Sequence, residues 1–322
     1  MAEELQLRIH GEASLPTLIY LPGLHGDWTL IGSFRKAIGG RARFVEITYP
    51  RTLTWSLDDY AAAIETALAH NGITRGWLLG ESYGSQVLWA MVARGKFPAQ
   101  GVILAGGFVK HPMRGAVRLA EKLTGRISTA LFVRIIFGYA KIARFRYRRS
   151  PETLATIDEF VARRTELDRR AAQHRLHLIA QYDSRLIAGQ TRLPVFGLSG
   201  ILDPIVPWPF VRRWLRKNCP ALRDYRIIHS ADHNVLSTAP KEAAKQVLEW
   251  MNQQPQQLMS VGLLFDQVRA DSRPLLRLPG FRLSTLNPQL STVFHGCLSR
   301  KNKFPVGGVM VMLFVPLLVV MV

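Results

Sequence analysis

The sequence predicts an α/β protein: a mainly parallel sheet with helices on both faces and a helical cap inserted between its strands. Three observations carry this. Short apolar runs alternate with helically spaced segments from the first residues onward. The stretch Gly80-Glu81-Ser82-Tyr83-Gly84 joins one apolar run, Trp77-Leu78-Leu79, to the start of a helical pattern. Between residues 109 and 191 the alternation gives way to long Arg-rich helical stretches with no convincing strand, and it resumes afterwards.

The elements follow in order. Residues 5–11 and 17–23 read as the first strands and 42–50 as the next, with a short helix over 28–38 ending at Gly39-Gly40. Residues 56–72 read as a helix, with Ser56 as its cap, Asp58 and Asp59 in its first turn and Asn71-Gly72 as its stop. Residues 74–80 form the strand that feeds the Ser82 stretch, a helix leaves it from Ser85, and 101–108 is another buried strand. After the insertion come strands over 193–200 and 224–230, separated by a helix over 210–217, and a last helix over about 239–252. The domain reading is a core of residues 1–108 and 192–252, a basic cap of 109–191, a linker or poorly structured tail of 253–303 and a candidate transmembrane segment of 304–322.

Composition narrows the class. A chain of 322 residues with 48% apolar content can bury a sizeable core, which excludes a disordered protein. Two cysteines, Cys219 and Cys297, give neither a disulfide framework nor metal-ligand spacing and suit a reducing compartment. The acidic N-terminal residues, with no apolar run behind them, argue against a cleaved export signal and for a cytoplasmic location. The net charge of +19 favours anionic partners, and it is concentrated: residues 110 to 185 hold 17 Lys and Arg against 7 Asp and Glu.

A serine between two glycines has two readings. It is a capped strand-to-helix turn, or it is a nucleophile elbow that lifts the hydroxyl above the sheet edge. Such a motif arises by chance in about one chain of this length in ten, so the rest of the chain must decide. Asp203, in Leu202-Asp203-Pro204, lies just beyond one expected strand end, and His233, in Asp232-His233-Asn234, just beyond the next. Parallel strands deliver such loops to one edge of a sheet, the edge that carries Ser82. A serine needs an imidazole to take its proton, and the imidazole needs a carboxylate on its far nitrogen. His229 and His25 are alternatives for the base. Asp232 is an alternative for the acid, although neighbouring loop side chains diverge. For an oxyanion, the backbone N–H of Tyr83, at the first turn of a helix, is one candidate donor, and Leu24, in the glycine-rich Pro22-Gly23-Leu24-His25-Gly26-Asp27 loop, is the other, with His25 the runner-up.

Taken together, Leu21-Pro22-Gly23-Leu24-His25-Gly26-Asp27, the Ser82 stretch, Leu202-Asp203-Pro204 and Ala231-Asp232-His233-Asn234 make residues 5–252 resemble the α/β-hydrolase superfamily. The resemblance implies a Ser82, Asp203, His233 triad and an esterase-like, lipase-like or related acyl-transfer activity. The oxyanion loop departs from the family in reading Pro22-Gly23 where many members have His-Gly. No cofactor or metal is implied, since no zinc-protease motif, phosphate loop or dinucleotide fingerprint is present.

The expected activity is that of a cofactor-independent serine hydrolase acting on a small-molecule ester or thioester with an apolar acyl group. Two other readings stay open: a binding protein on the same fold, and a membrane-associated protein in which cap and tail dominate. Residues 113–149 alternate apolar and basic residues at helical spacing, as either a cap showing arginines to water or a helix pair resting on an anionic membrane surface; nucleic acid is disfavoured for want of a recognised module. The charge-free run 304–322 is long enough to span a membrane, whereas Pro305 and Pro316 suit an extension with little structure of its own.

Overall fold

The computed structural model describes residues 4–128 and 165–253, with residues 130, 131, 134, 144 and 154 between them. Seven strands form one sheet: β1 (Gln6–His10), β2 (Thr17–Leu21), β3 (Arg43–Thr48), β4 (Gly76–Glu81), β5 (Ala99–Ala105), β6 (Val195–Gly200) and β7 (Leu222–Ile228). Their order across the sheet is β1-β3-β2-β4-β5-β6-β7. β1 runs antiparallel to β3, and every other pair is parallel. The described helices are α1 (Gly32–Ile38), α2 (Leu57–His70), α3 (Gly84–Arg94), α4 (Arg114–Arg126), α5 (Glu166–Gln181), α6 (Arg185–Gln190), α7 (Trp208–Asn218), α8 (Val235–Thr238) and α9 (Pro240–Met251).

The apolar runs of the inner strands are continuous because both faces of the sheet are covered. On one face Ile19, Leu21, Leu78, Val102 and Leu104 pack with residues of α2 and α3. On the other, Leu18, Tyr20, Leu79, Ile103 and Phe196 pack with residues of α1 and α9. The alternation of partners along each strand is the two-residue period of a pleated sheet. At the start of α2, Ser56 and Asp59 form a capping box: the Asp59 N–H donates to Ser56 Oγ at 3.2 Å and the Ser56 N–H to Asp59 Oδ2 at 2.8 Å.

Two stretches differ from the sequence expectation. The first helix starts at Gly32 rather than at residue 28, because the Asp27 carboxylate takes the Thr29 N–H at 3.1 Å and holds the chain in a turn. The helix expected over about 239–252 is α9, but a short helix not expected from the sequence precedes it: α8 ends before Pro240, and α9 begins with that proline, whose missing N–H is harmless at a first helical position.

The basic segment leaves the sheet after β5. Its two ends are clipped together, since Val109 O accepts both the N–H and the hydroxyl of Ser184, at 3.1 and 2.6 Å, and Lys110 pairs with Asp183 at 2.8 Å. Within it α4 and α5 face each other: Arg114 Nε donates to Ala180 O at 2.8 Å, and His177 Nδ1 pairs with Glu121 Oε1 at 2.9 Å. Nearly half of the 113–149 stretch, all of it beyond Ser128, and the whole of 304–322 lie outside the described residues. Among the described residues no helix is long and apolar enough to cross a membrane.

Candidate active site

β4 ends at Glu81, and the chain turns at Ser82 into α3 with φ 49°, the only positive φ of a residue other than glycine among the described residues. That left-handed conformation is costly for a residue with a Cβ, and it is held by its surroundings. The Ser82 N–H donates to Ala105 O at 3.0 Å, the Ser85 N–H to Ser82 O at 3.0 Å, and the Ser85 hydroxyl to the same carbonyl at 2.6 Å. The flanking glycines let the helix fold back on the strand, for a Cβ at Gly84 would stand 2.1 Å from Leu21 O and one at Gly80 2.8 Å from Ser85 Cα. Ser82 is thereby half-buried at the sheet edge.

The structure brings Ser82, Asp203 and His233 together. His233 Nδ1 lies 2.9 Å from Asp203 Oδ2, and His233 Nε2 lies 2.8 Å from Ser82 Oγ. An ionised carboxylate can only accept, so the ring proton sits on Nδ1 and Nε2 accepts from the serine. Asp203 is itself oriented by the loop after β6: its Oδ1 takes the N–H groups of Ile205 and Val206, both at 2.9 Å. Burial pushes His233 down, but the charge and hydrogen bond of Asp203, with Glu81 and Asp232 behind them, outweigh it and raise the ring above its ordinary range. Asp232 instead accepts the Asn234 N–H at 3.0 Å, and His229 is exposed beyond β7.

Gly23, Leu24 and His25 line the same cavity as Ser82 and His233, a space of about 70 Å³. A Cβ at Gly23 would stand 3.6 Å from Ser82 Cβ, so this loop runs directly beside the serine. Tyr83 is the N-cap residue of α3, with its N–H at the positive end of the helix. Much of the remaining wall is apolar, with Leu30 before α1, Val117 from α4, Leu176 and Ile179 from α5, and Ile205 and Val206 from the Asp203 loop.

Three buried polar residues escaped the sequence reading, two in this wall and one behind its 23–26 turn. Glu81, inside the Ser82 stretch, is buried and accepts the Tyr20 hydroxyl; burial raises its carboxyl against the pull of that bond. His111 is 4% exposed, takes the Met113 N–H on Nδ1 at 3.1 Å, and is pushed down to about 4, by burial first and then by His233. Its neutral ring therefore carries its proton on Nε2. Arg175 is 1% exposed on α5 and donates to Leu24 O and Pro50 O, at 2.8 and 3.1 Å. A signal for it existed: Arg175 falls on the stripe Ala171, Ala172, Leu176, Ile179, where a solvated arginine has no place.

The geometry can be set beside known proteins. Among curated proteins a sequence search finds no match. Solved structures similar to this one include a hydrolase from Pseudomonas aeruginosa, with TM-score 0.65 and 14% identity over 77% of this chain and 94% of that one. A thermophilic esterase from Thermogutta terrifontis, with malate bound, has TM-score 0.60 and 19% identity over 77% and 92% of the two chains. The enol-lactonase from Burkholderia xenovorans has TM-score 0.58 and 19% identity over 77% and 96%. At such identities these likenesses establish the fold. The sequence itself matches the family described as alpha/beta hydrolase fold over residues 46–240, a span that runs from β3 to the start of α9 and holds Ser82, Asp203 and His233. With more than half of its length in that match and the sheet order on the page, the chain belongs to the alpha/beta hydrolase fold family.

Proposed function

We propose that the protein is a cofactor-independent serine hydrolase that cleaves a small-molecule ester or thioester with an apolar acyl group through an acyl-enzyme. The observation that carries this reading is the pair of hydrogen bonds from Ser82 through His233 to Asp203, at 2.8 and 2.9 Å. Ser82 Oγ attacks the acyl carbon while His233 Nε2 takes its proton, and Asp203 steadies the imidazolium. The carbonyl oxygen becomes an anion, met by the N–H groups of Leu24 and Tyr83. The bond to the leaving oxygen or sulfur then breaks, and His233 returns the proton to it. Water, deprotonated by the same imidazole, attacks the acyl-serine, and the carboxylic acid leaves as Ser82 regains its proton.

The apolar wall of Leu30, Val117, Leu176 and Ile179 supports an apolar acyl group rather than a charged one. Because α4 and α5 contribute to that wall, residues 109–191 read as a cap on a core of 1–108 and 192–252. A lactone is an internal ester and needs no other chemistry, so the activities for which the esterase and the enol-lactonase above are named are both within reach of this arrangement. Fluorophosphonate labelling of the full chain tests the reading. The wild type takes the label and Ser82→Ala does not, with both equally folded; a wild type that stays unlabelled, or a Ser82→Ala chain that labels, sinks it.

A further inference from the structure

We propose that Arg175, a residue of the basic segment, is a positioning residue for the anion that forms at Ser82: through Leu24 O it holds the 23–26 turn, the turn that offers its N–H group to that charge. The proposal rests on the serine-hydrolase reading above. The turn at 23–26 is closed by the Gly26 N–H donating to Gly23 O at 3.0 Å. Gly23 C=O and Leu24 N–H belong to one trans peptide and point in opposite directions, so this bond directs the Leu24 N–H out of the turn. The next peptide is held from outside. Arg175 Nη1 donates to Leu24 O at 2.8 Å, which turns the His25 N–H to the side away from the guanidinium. Both candidate donors of the oxyanion loop are thus oriented, one by the turn and the other by Arg175, in the wall that also holds Ser82.

The cation is otherwise unexplained. Its second nitrogen donates to Pro50 O at 3.1 Å, and its carbon lies 5.5 Å from the centre of the Tyr49 ring. Its Nε has no hydrogen-bond partner, and among the described residues no carboxylate pairs with it. The nearby Arg169, equally placed in α5, has Glu166. A buried charge with no counter-charge is expensive, and two carbonyl dipoles and a ring face offset only part of the cost. An anion forming on the other side of the 23–26 turn would recover some of the rest, which is a gain made in the transition state and absent from the ground state. The contact is close: Gly26 has φ 77°, and a Cβ there would stand 2.4 Å from Arg175 Nη1, so the turn packs directly on the guanidinium.

Two variants of the full chain test the hold, one that keeps the charge and one that does not. Arg175→Lys keeps the charge and loses the two-pronged hold; Arg175→Gln keeps a donor and loses the charge. For each we expect kcat on a short ester to fall about 10²-fold, the usual effect of a donor displaced by an ångström, with KM within about threefold. Affinity for an alkyl boronic acid, which forms the tetrahedral anion on Ser82, should fall by the same factor, while affinity for an unreactive ether of the same shape stays put. Hydrogen exchange at residues 23–26 should quicken in both. A folded variant with wild-type kcat and boronate affinity overturns the proposal, and so does a loss shared equally by the ether. Should Arg175→Gln fail to fold, Arg175→Lys decides alone. If wild-type turnover proves independent of Ser82 while exchange at 23–26 still quickens, the serine-hydrolase reading fails and the clamp on the turn stands; unchanged exchange alongside Ser82-dependent turnover removes the clamp.

Discussion

At the sheet edge, Ser82, Asp203 and His233 each stand within a few residues of a strand end, and they touch one another at 2.8 and 2.9 Å. Among the described residues of the basic segment nothing touches Ser82 in this way. Its residues reach the cavity through helices that are tied to other loops: Arg51 Nε donates to Asp168 Oδ1 at 2.5 Å, His174 Nε2 to Trp55 O at 2.8 Å, and Arg175 to Leu24 O and Pro50 O. The two regions build one cavity by different means. In the proposed reaction the side chains at the edge take part directly, so a change there would strike the reacting atoms. Side chains of the segment work through the loops they hold, so a change there is felt in proportion to how much of the hold is lost.

This difference can be broken at its strong end. Asp203→Asn keeps the shape of the edge but can donate to the ring and favour the wrong tautomer, so kcat on a short activated ester should drop by a factor on the order of 10⁴ while the melting curve barely moves. If the loss is instead small and Asp232→Asn is severe, the acid has been misassigned. A pH profile sharpens the same point. In the proposed mechanism His233 must be neutral to act as base, so its raised pKa predicts that activity should fall away, as pH drops, already above the ordinary histidine value of 6.5. Removing the Asp203 charge leaves burial to dominate, so the acid limb of kcat/KM in Asp203→Asn should shift to lower pH; a limb that does not move separates the measured titration from this histidine.

The segment should give smaller effects of another kind. Asp168 both caps α5, taking the Thr165 N–H at 2.8 Å, and pairs with Arg51. Asp168→Ala should cost about 2 kcal/mol of stability in a denaturant titration, with kcat within about threefold as long as Arg175 still holds the 23–26 turn. A large loss of kcat at unchanged stability would move Asp168 into the machinery of the edge. The exposed Arg118, Lys122 and Arg126 of α4 should matter least: replacement by Gln should leave stability within about 0.5 kcal/mol and turnover of a soluble ester unchanged.

The same contrast decides what could be read from the residues alone. Strands and helices of the sheet were legible because period and burial agree there: Leu18 and Tyr20 face one side and Ile19 and Leu21 the other, under helices on both. Ser82 was legible because the elbow needs Gly80 and Gly84 beside it, and Asp203 and His233 because loops at parallel strand ends share an edge. What stayed hidden was polar burial set by distant packing. Nothing local in Glu81 says that the Tyr20 hydroxyl waits across 61 residues, nor in His111 that His233 lies close. Arg175 was passed over as one cation among many, although its place on the apolar stripe of α5 marked it. The late start of α1 turned on a single side-chain bond, from Asp27 to the Thr29 N–H, which spacing cannot foresee.

The clip that joins Val109 to Ser184 has a bearing on how such a protein can be altered. Because the chain departs and returns at one point, the entropy of closing the intervening loop depends only weakly on its length. Residues 110–183 are in that sense a cassette: a different stretch, longer or shorter, could be spliced between the same two ends with the strands on either side left in register. The splice would also give up what the segment brings, the ties of Asp168 to Arg51 and His174 to Trp55 and the wall of Val117, Leu176 and Ile179. An incoming cassette that lacks an arginine aimed at Leu24 O would leave the 23–26 turn without its outer support, so exchange of cassettes would change specificity cleanly only among segments that bring that cation with them.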